Sequence, residues 1–281
     1  MNDSGSFPGY NQFLELVKTT LAKVIRSSDK VPQHVAFIMD GNRRFAKKNN
    51  MEVNEGHNAG FESMCRVLEL CYESGMKSAT VFAFSIENFK RSLFEVNWLM
   101  ELAKDKIKQI SQHGEMAEQY GIKVKVIGDR SLLPPDVLKE VELAEEVTKN
   151  NTRAVLNICF PYTGREEIVH SIQEIMKETA AGTIIYRDID EQTVEDHLYT
   201  QGQPPVELLI RTSGVTRLSD FLLWQLSNRG CAIELVDCLW PEFTPFSMLK
   251  ILIKFAFKKT YSPSNEEDDE LKKKTAEQKY N

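Results

Sequence analysis

Short apolar runs alternate along this chain with longer stretches in which apolar residues return every three or four positions. Residues 34–39, 78–84, 122–127, 155–159, 206–210 and 232–236 read as strands, most of them rich in β-branched or aromatic residues. Between them, Asn11–Arg26, His57–Glu73, Leu93–Tyr120, Gly164–Thr179 and Phe246–Phe257 carry the period of amphipathic helices. Gly75 and Gly121 stand where two of these should stop, and Gly114 is a candidate break within the long one. Another helix opens at Pro134-Pro135-Asp136, with proline in a first turn where its missing N–H costs nothing. Shorter helices are expected over Asp190–Leu198 and Phe221–Trp224.

Strands alternating with helices predict an α/β fold with a mostly parallel, about six-stranded sheet flanked by helices. No repeat or linker interrupts it, so residues 33–261 form one domain. Residues 1–32 are an arm whose amphipathic helix either lies on a membrane surface or packs on the domain or a partner. Residues 262–281 turn wholly polar and are expected to be a disordered charged tail.

Composition narrows the function without naming it. Of 281 residues 42% are hydrophobic, an ordinary globular balance, and no apolar stretch reaches the ~20 residues of a membrane span. The net charge of −6 is concentrated in the acids at 266–270, so the rest is near neutral and offers no nucleic-acid surface. Five cysteines lack Cys-x-x-Cys spacing, which removes a zinc site or a disulfide framework.

The chemistry gathers where strands end. The first strand runs into Asp40-Gly41-Asn42-Arg43-Arg44, the second into Ser85 to Arg91, the fifth into Arg211 to Asp220. Read alone, each is a polar turn whose arginines pair with surface carboxylates. Strand ends of a parallel sheet share one edge, however, so Arg43, Arg44, Arg91, Arg211 and Arg217 can meet in one cleft with Asn88, Ser213 and Ser219. Guanidinium forks suit phosphate oxygens, and Asp40, the single nearby acid, suits a hard cation such as Mg²⁺. The arrangement describes a site for two polyanions and a divalent metal. Neither G-x-x-x-x-G-K-[ST] nor G-x-G-x-x-G follows a strand, so glycine-rich nucleotide cradles are excluded.

Taken in order, residues 34–44, 82–91, 209–214 with 217–225, and 239–243 resemble the signature blocks of the cis-prenyltransferases, within them the dolichol-making branch of fungi. The resemblance spans roughly residues 33–257. It implies repeated cis-condensation of isopentenyl diphosphate onto farnesyl diphosphate, giving a long polyprenyl diphosphate, the dolichol precursor for protein glycosylation. It makes Asp40 the Mg²⁺ ligand and a catalytic residue, and puts Ser85 and Asn88 close to the reacting carbons. Gly41, Asn42, Arg43, Arg44 and Arg91 would hold the allylic diphosphate, with His57 in support. Arg211, Arg217 and Ser219 would hold isopentenyl diphosphate. The helices at 57–73 and 93–113 would line an apolar product tunnel.

Departures from the bacterial pattern of that family bear on assembly. No acid stands near Gly230, Val215 replaces a frequent Glu, and Val53 replaces a basic residue. The C-terminal region lacks the Arg-x-Gly segment that homodimeric members share. The resemblance therefore implies a heteromer with a Nogo-B-receptor-type accessory subunit. It also implies peripheral membrane association on the cytoplasmic face of the endoplasmic reticulum and at lipid droplets. A non-catalytic scaffold or lipid-binding subunit of the same complex is the competing reading, but such a subunit has no need of Asp40 and the arginines.

Overall fold

Strand β1, His34–Ile38, is buried along its whole length, and the sheet is built outward from it. The computed structural model describes residues 10–112, 115–227 and 230–261. Strands β2 (Ser78–Phe82), β3 (Ile122–Ile127), β4 (Ala154–Cys159), β5 (Leu208–Arg211) and β6 (Ala232–Leu235) complete a sheet of order β3-β4-β2-β1-β5-β6. Every pairing in it is parallel. The chain leaves β1 toward β2 and later returns to β1's other side as β5. Such a reversal of strand order opens a crevice at the carboxyl ends of an α/β sheet. Ile38 lies in register with Arg211, so the turns that follow β1 and β5 leave the sheet side by side.

The helices are α1 (Tyr10–Ser27), α2 (Asn42–Lys48), α3 (Val53–Glu73), α4 (Leu93–Gln112), α5 (Glu115–Gln119), α6 (Pro135–Thr148), α7 (Gly164–Ala181), α8 (Glu191–Glu195) and α9 (Pro245–Tyr261). Alternation along β1 sends Val35 and Phe37 into one core, with α3 and α9, and Ala36 and Ile38 into a second. From α1, Ala22 and Ile25 join the larger core. Among the described side chains, this part of the arm packs on the domain. No described helix is long and apolar enough to cross a membrane. Residues 1–9 and the tail at 262–281 lie outside the described residues.

Two expectations change. For the helix expected over Leu93–Tyr120, the structure describes α4 to Gln112 and α5 from Glu115, and Gly114 falls outside the described residues. Helix α3 begins at Val53, not His57, because Glu52 and Glu55 form a reciprocal capping box there. Phe221–Trp224 is not helical at all. Ser219, Asp220 and Leu222 take positive φ angles of 54°, 59° and 46°, and only a short 3₁₀ turn at Gln225–Ser227 follows. The cause is tertiary: the Asp220 carbonyl accepts from Gly164 N–H at 2.7 Å, pinning the segment to the start of α7.

A buried polar network ties the start of β1 to the connection before β5. His34 has no exposed surface; its ring bonds the Pro204 carbonyl at 2.8 Å and the Thr80 hydroxyl at 2.7 Å. Asn157 reaches the same hydroxyl and Gln203. Burial lowers the His34 pKa to about 4, so the folded protein keeps the ring neutral. The unfolded chain takes up that proton near pH 6.5. His34 therefore stabilises fully above 6.5 and progressively less as pH falls toward 4. Compared with His34→Asn, the wild-type advantage in urea unfolding should be smaller at pH 5 than at pH 7.5 by about 2 kcal/mol. An advantage independent of pH would show that the ring titrates normally in the fold.

Candidate active site

Asp40 and Arg211 meet across the seam between β1 and β5. Arg211 ends β5, where its side chain is only 2% exposed. A guanidinium so buried needs partners. It donates to Asp40 Oδ2 at 3.0 Å, to the Ser219 hydroxyl at 3.0 Å and to the Arg217 carbonyl. Burial lowers the Arg211 pKa from its usual value, Asp40 raises it, and a guanidinium keeps its charge throughout. Thr212 completes the seam, its hydroxyl donating to the Asp40 carbonyl at 2.8 Å and accepting the Asp40 N–H at 3.1 Å.

Gly41 turns the chain from β1 into α2 with φ 114°, a conformation that favours glycine, and an added Cβ would meet Leu239 at 3.0 Å. Helix α2 brings Arg43 and Arg44 round. Arg44 donates to Ser213 and lies 3.6 Å from Asp40 Oδ1. Arg43 shares Glu95 with Arg91, at 3.6 and 2.8 Å. Glu95, one helical turn beyond Arg91, is a partner that its i,i+4 spacing could have revealed. Ser85 and Asn88 cap the short 3₁₀ helix Ile86–Lys90: Asn88 Oδ1 accepts Ser85 N–H at 3.0 Å, and the Ser85 hydroxyl accepts Glu87 N–H at 3.2 Å.

His57 lies inside α3 against Trp98, their ring centroids 5.6 Å apart. Burial first, and the Arg91 charge second, lower its pKa to about 4. It is a neutral imidazole among arginines, and no sequence signal pointed to Trp98. The block at 239–243 closes the rear: Trp240 N–H bonds the Asp40 carbonyl at 3.0 Å and its indole N–H the Gly60 carbonyl at 2.8 Å.

Of the residues that the sequence places in the cleft, all but Ser213, which accepts from Arg44, line one cavity of about 1230 Å³. Asp40, Gly41, Asn42, Arg43, Arg44, His57, Ser85, Asn88, Arg91, Arg211, Arg217 and Ser219 come together there. It is also lined by apolar residues, among them Phe61, Met64 and Leu68 from α3, Leu99 and Ile107 from α4, and Phe160 beyond β4, and by the charged Lys47, Glu87, Lys106 and Asp220. Three polar atoms at this site are buried without a partner, Asn42 Oδ1, His57 Nε2 and Arg211 Nε. No group of three or more His, Cys, Asp or Glu side chains that could hold a metal occurs among the described residues. Three carboxylates line the cavity, Asp40, Glu87 and Asp220, without forming such a group.

Residues 38–261 match the family of putative undecaprenyl diphosphate synthases. A dehydrodolichyl diphosphate synthase complex subunit of Schizosaccharomyces pombe is 47% identical over 257 residues, covering 90% of this chain and 97% of the relative. The human dehydrodolichyl diphosphate synthase complex subunit is 41% identical over 242 residues, covering 86% of this chain and 72% of the relative. Among solved structures, lavandulyl diphosphate synthase from Lavandula x intermedia, in complex with dimethylallyl diphosphate, superposes with a TM-score of 0.75 at 32% identity. That match covers 81% of this chain and 96% of the other.

Helix α2 lies hard against α3 at two glycines. A Cβ on Gly56 would fall 2.5 Å from the Asn42 carbonyl oxygen, and one on Gly60 would fall 2.3 Å from Asn42 Oδ1. Alanine is the better helix former by about 1 kcal/mol, so Gly60→Ala leaves α3 intact and displaces the Asn42 side chain instead. Calorimetric titration of that variant with a diphosphate ligand should show affinity lower by about tenfold, with thermal unfolding little changed. Undiminished affinity would show that Asn42 takes no part in holding the anion.

Proposed function

The chain belongs to the undecaprenyl diphosphate synthase family of cis-prenyltransferases, and on that premise we propose that it extends farnesyl diphosphate with isopentenyl diphosphate in repeated cis-condensations, making the polyprenyl diphosphate from which dolichol derives. The observation that carries this reading is one cavity lined both by Arg43, Arg44, Arg91, Arg211 and Arg217 and by apolar side chains of α3 and α4. Two anionic heads and one growing apolar tail need that division. Each buried CH₂ contributes about 0.8 kcal/mol, so a chain lengthened by isoprene units is held more firmly at every cycle.

In this proposal Arg43, Arg44 and Arg91, with Gly41 and Asn42, hold the allylic diphosphate, and neutral His57 supports it. Arg211, Arg217 and Ser219 hold isopentenyl diphosphate. Ser85 and Asn88 still have a hydroxyl proton and amide hydrogens available toward the cavity between the two heads. The arginines stabilise the charge growing on the departing diphosphate as the allylic C–O bond breaks. The isopentenyl double bond then forms the new C–C bond, and loss of a proton leaves a cis double bond.

The donor set fits Mg²⁺. Asp40 Oδ2 is taken by Arg211, but Oδ1 has only the more distant Arg44, and a magnesium ion commonly draws most of its ligands from phosphate oxygens and water. Asp40 would hold the ion, which when bound supplies further positive charge to the departing diphosphate.

The second part of the proposal is a heteromer. The chain has no acid near Gly230 and no Arg-x-Gly segment to complete the bacterial arrangement, and the S. pombe and human relatives are named as complex subunits. We infer an accessory subunit of Nogo-B-receptor type that completes the site and holds the enzyme peripherally at the endoplasmic reticulum membrane and lipid droplets. In support, the free edge strand β6 presents exposed Ile233 and Leu235, and the chain beyond it runs to Leu239 over Gly41.

Purified chain, with and without that subunit, is incubated with farnesyl diphosphate, labelled isopentenyl diphosphate and Mg²⁺. Labelled long-chain product at a rate at least tenfold higher for the mixture is expected. Equal rates and product lengths for the lone chain would remove the heteromer from the proposal, and no condensation in either would remove the activity. A second prediction concerns Asp40. Removing its carboxylate leaves Arg211 buried and unpaired, so Asp40→Ala should lose turnover and also up to about 3 kcal/mol of stability. Asp40→Asn, which keeps an acceptor for Arg211, should remain near wild type in thermal unfolding while turnover falls by about a hundredfold or more. Normal turnover of Asp40→Asn at saturating Mg²⁺ would overturn its role.

A further inference from the structure

The loop that carries Arg217 and Ser219 is held by Asp220, which borders the same cavity but has no role in the proposed chemistry. Between Arg211 and Leu222 four non-glycine residues, Ser213, Ser219, Asp220 and Leu222, have positive φ, and three of these fall within four consecutive positions. Asparagine and aspartate tolerate that region, but serine and leucine adopt it at a cost. A segment in such a conformation persists only where its surroundings over-determine it.

The surroundings here are the first turn of α7. The Asp220 carbonyl accepts from Gly164 N–H at 2.7 Å. Its carboxylate spans two donors of the next residue, Arg165 N–H at 3.0 Å and Arg165 Nε at 2.7 Å. The side chain of Asp220 is 13% exposed while that of Arg165 is 72% exposed, so the acid is the seated member of the pair. The hydroxyl oxygen of the adjacent residue, Ser219, accepts a bond from buried Arg211. Arg165 also feels the charge of Glu87, which belongs to the short helix capped by Ser85 and Asn88. The start of α7 therefore fixes the Arg217–Ser219 turn and reaches toward the opposite lip of the cavity.

We propose that Asp220, seated on the Arg165 amide and guanidinium, is a positioning residue that sets the Arg217–Ser219 turn, and with it the affinity of the isopentenyl diphosphate subsite alone. The inference rests on the assignment of that subsite under the proposed function. Without its carboxylate the turn loses both bonds to Arg165 and relaxes out of the left-handed region. Ser219 and Arg217 then move off the diphosphate, while Arg43, Arg44 and Arg91 stay on α2 and at the foot of α4. Asp220→Asn retains an oxygen to accept the Arg165 N–H but sets an amide NH2, a donor, against Arg165 Nε, so it keeps one of the two bonds and loses the charge.

The test compares wild type, Asp220→Ala, Asp220→Asn and Arg165→Gln, each with the accessory subunit. KM is measured for both substrates, and the Kd of isopentenyl diphosphate by calorimetry. Asp220→Ala should raise KM and Kd for isopentenyl diphosphate by about tenfold, with KM for farnesyl diphosphate within about twofold. Asp220→Asn should recover part of the loss, and Arg165→Gln should fall between. A purely structural role would move both KM values together, or lower the melting temperature without separating them, and either result overturns the proposal. Should Asp220→Ala fail to fold, Arg165→Gln decides: an unchanged Kd for isopentenyl diphosphate rejects the inference. Failure of the wild-type complex to condense the substrates is a different result. It removes the proposed function, while calorimetry still reports whether Asp220 governs anion binding at this turn.

Discussion

The rest of the site depends on one buried cation. Arg211 ends a strand in the interior of the sheet, and its charge cannot be left without partners there. Satisfying it fixes where Asp40 stands after β1, where Ser219 stands after β5, and which way the Arg217 carbonyl points. Thr212 and the Trp240 N–H then hold the Asp40 backbone. Three segments far apart in sequence are thereby brought to one lip of the sheet. The same contacts make Asp40 a structural as well as a chemical residue. Sequence reasoning gave it no core partner, yet its neighbour across the seam is almost wholly buried.

Behind that lip the physics changes sign. That edge is organised by charge: Arg44 is oriented by Ser213, Arg211 by Asp40 and Ser219, and Arg43 and Arg91 share Glu95. The interior is organised by hydrocarbon surface from α3 and α4. Helix α3 lines the cavity with His57 one turn from its start and with Phe61, Met64 and Leu68 further along, while Arg91 stands just before α4, whose own lining residues are apolar except for Lys106. An amphipathic helix ordinarily divides its polar and apolar residues around its axis. In α3 the division also runs along the axis, from polar His57 to apolar Phe61, Met64 and Leu68.

Much of this was legible because period and punctuation are local. The six strands came within a few residues, and the strand-end loops identified residues that do share a cavity. What was not legible depended on partners distant in sequence. Phe221–Trp224 has the composition of a helix, but Asp220 is bonded to the start of α7, and that bond overrides the propensity. His57 read as a residue at a helix start, yet it lies in the body of α3 against Trp98, a contact between two helices that neither helix's own period encodes. Gly60 lay unmarked within the expected helix and Gly56 just before it. Their role is visible only from the Asn42 atoms that approach them.

The arrangement also explains why such a site should be more stable with its ligands than without them. Buried polar atoms are almost always paired, and each unpaired one costs roughly 1–3 kcal/mol. Three lie together here: Asn42 Oδ1, His57 Nε2 and Arg211 Nε. They differ in what they can accept or give. Arg211 Nε is a donor and suits a phosphate oxygen directly, Asn42 Oδ1 can only accept, and the neutral ring of His57 can do either according to its tautomer. An anion alone therefore cannot satisfy all three. A hydrated or metal-bound diphosphate, which brings donors as well as acceptors, can. On this argument the cost the fold bears at its mouth is recovered on binding, and the recovery is largest for a ligand that arrives with its own ordered water or cation.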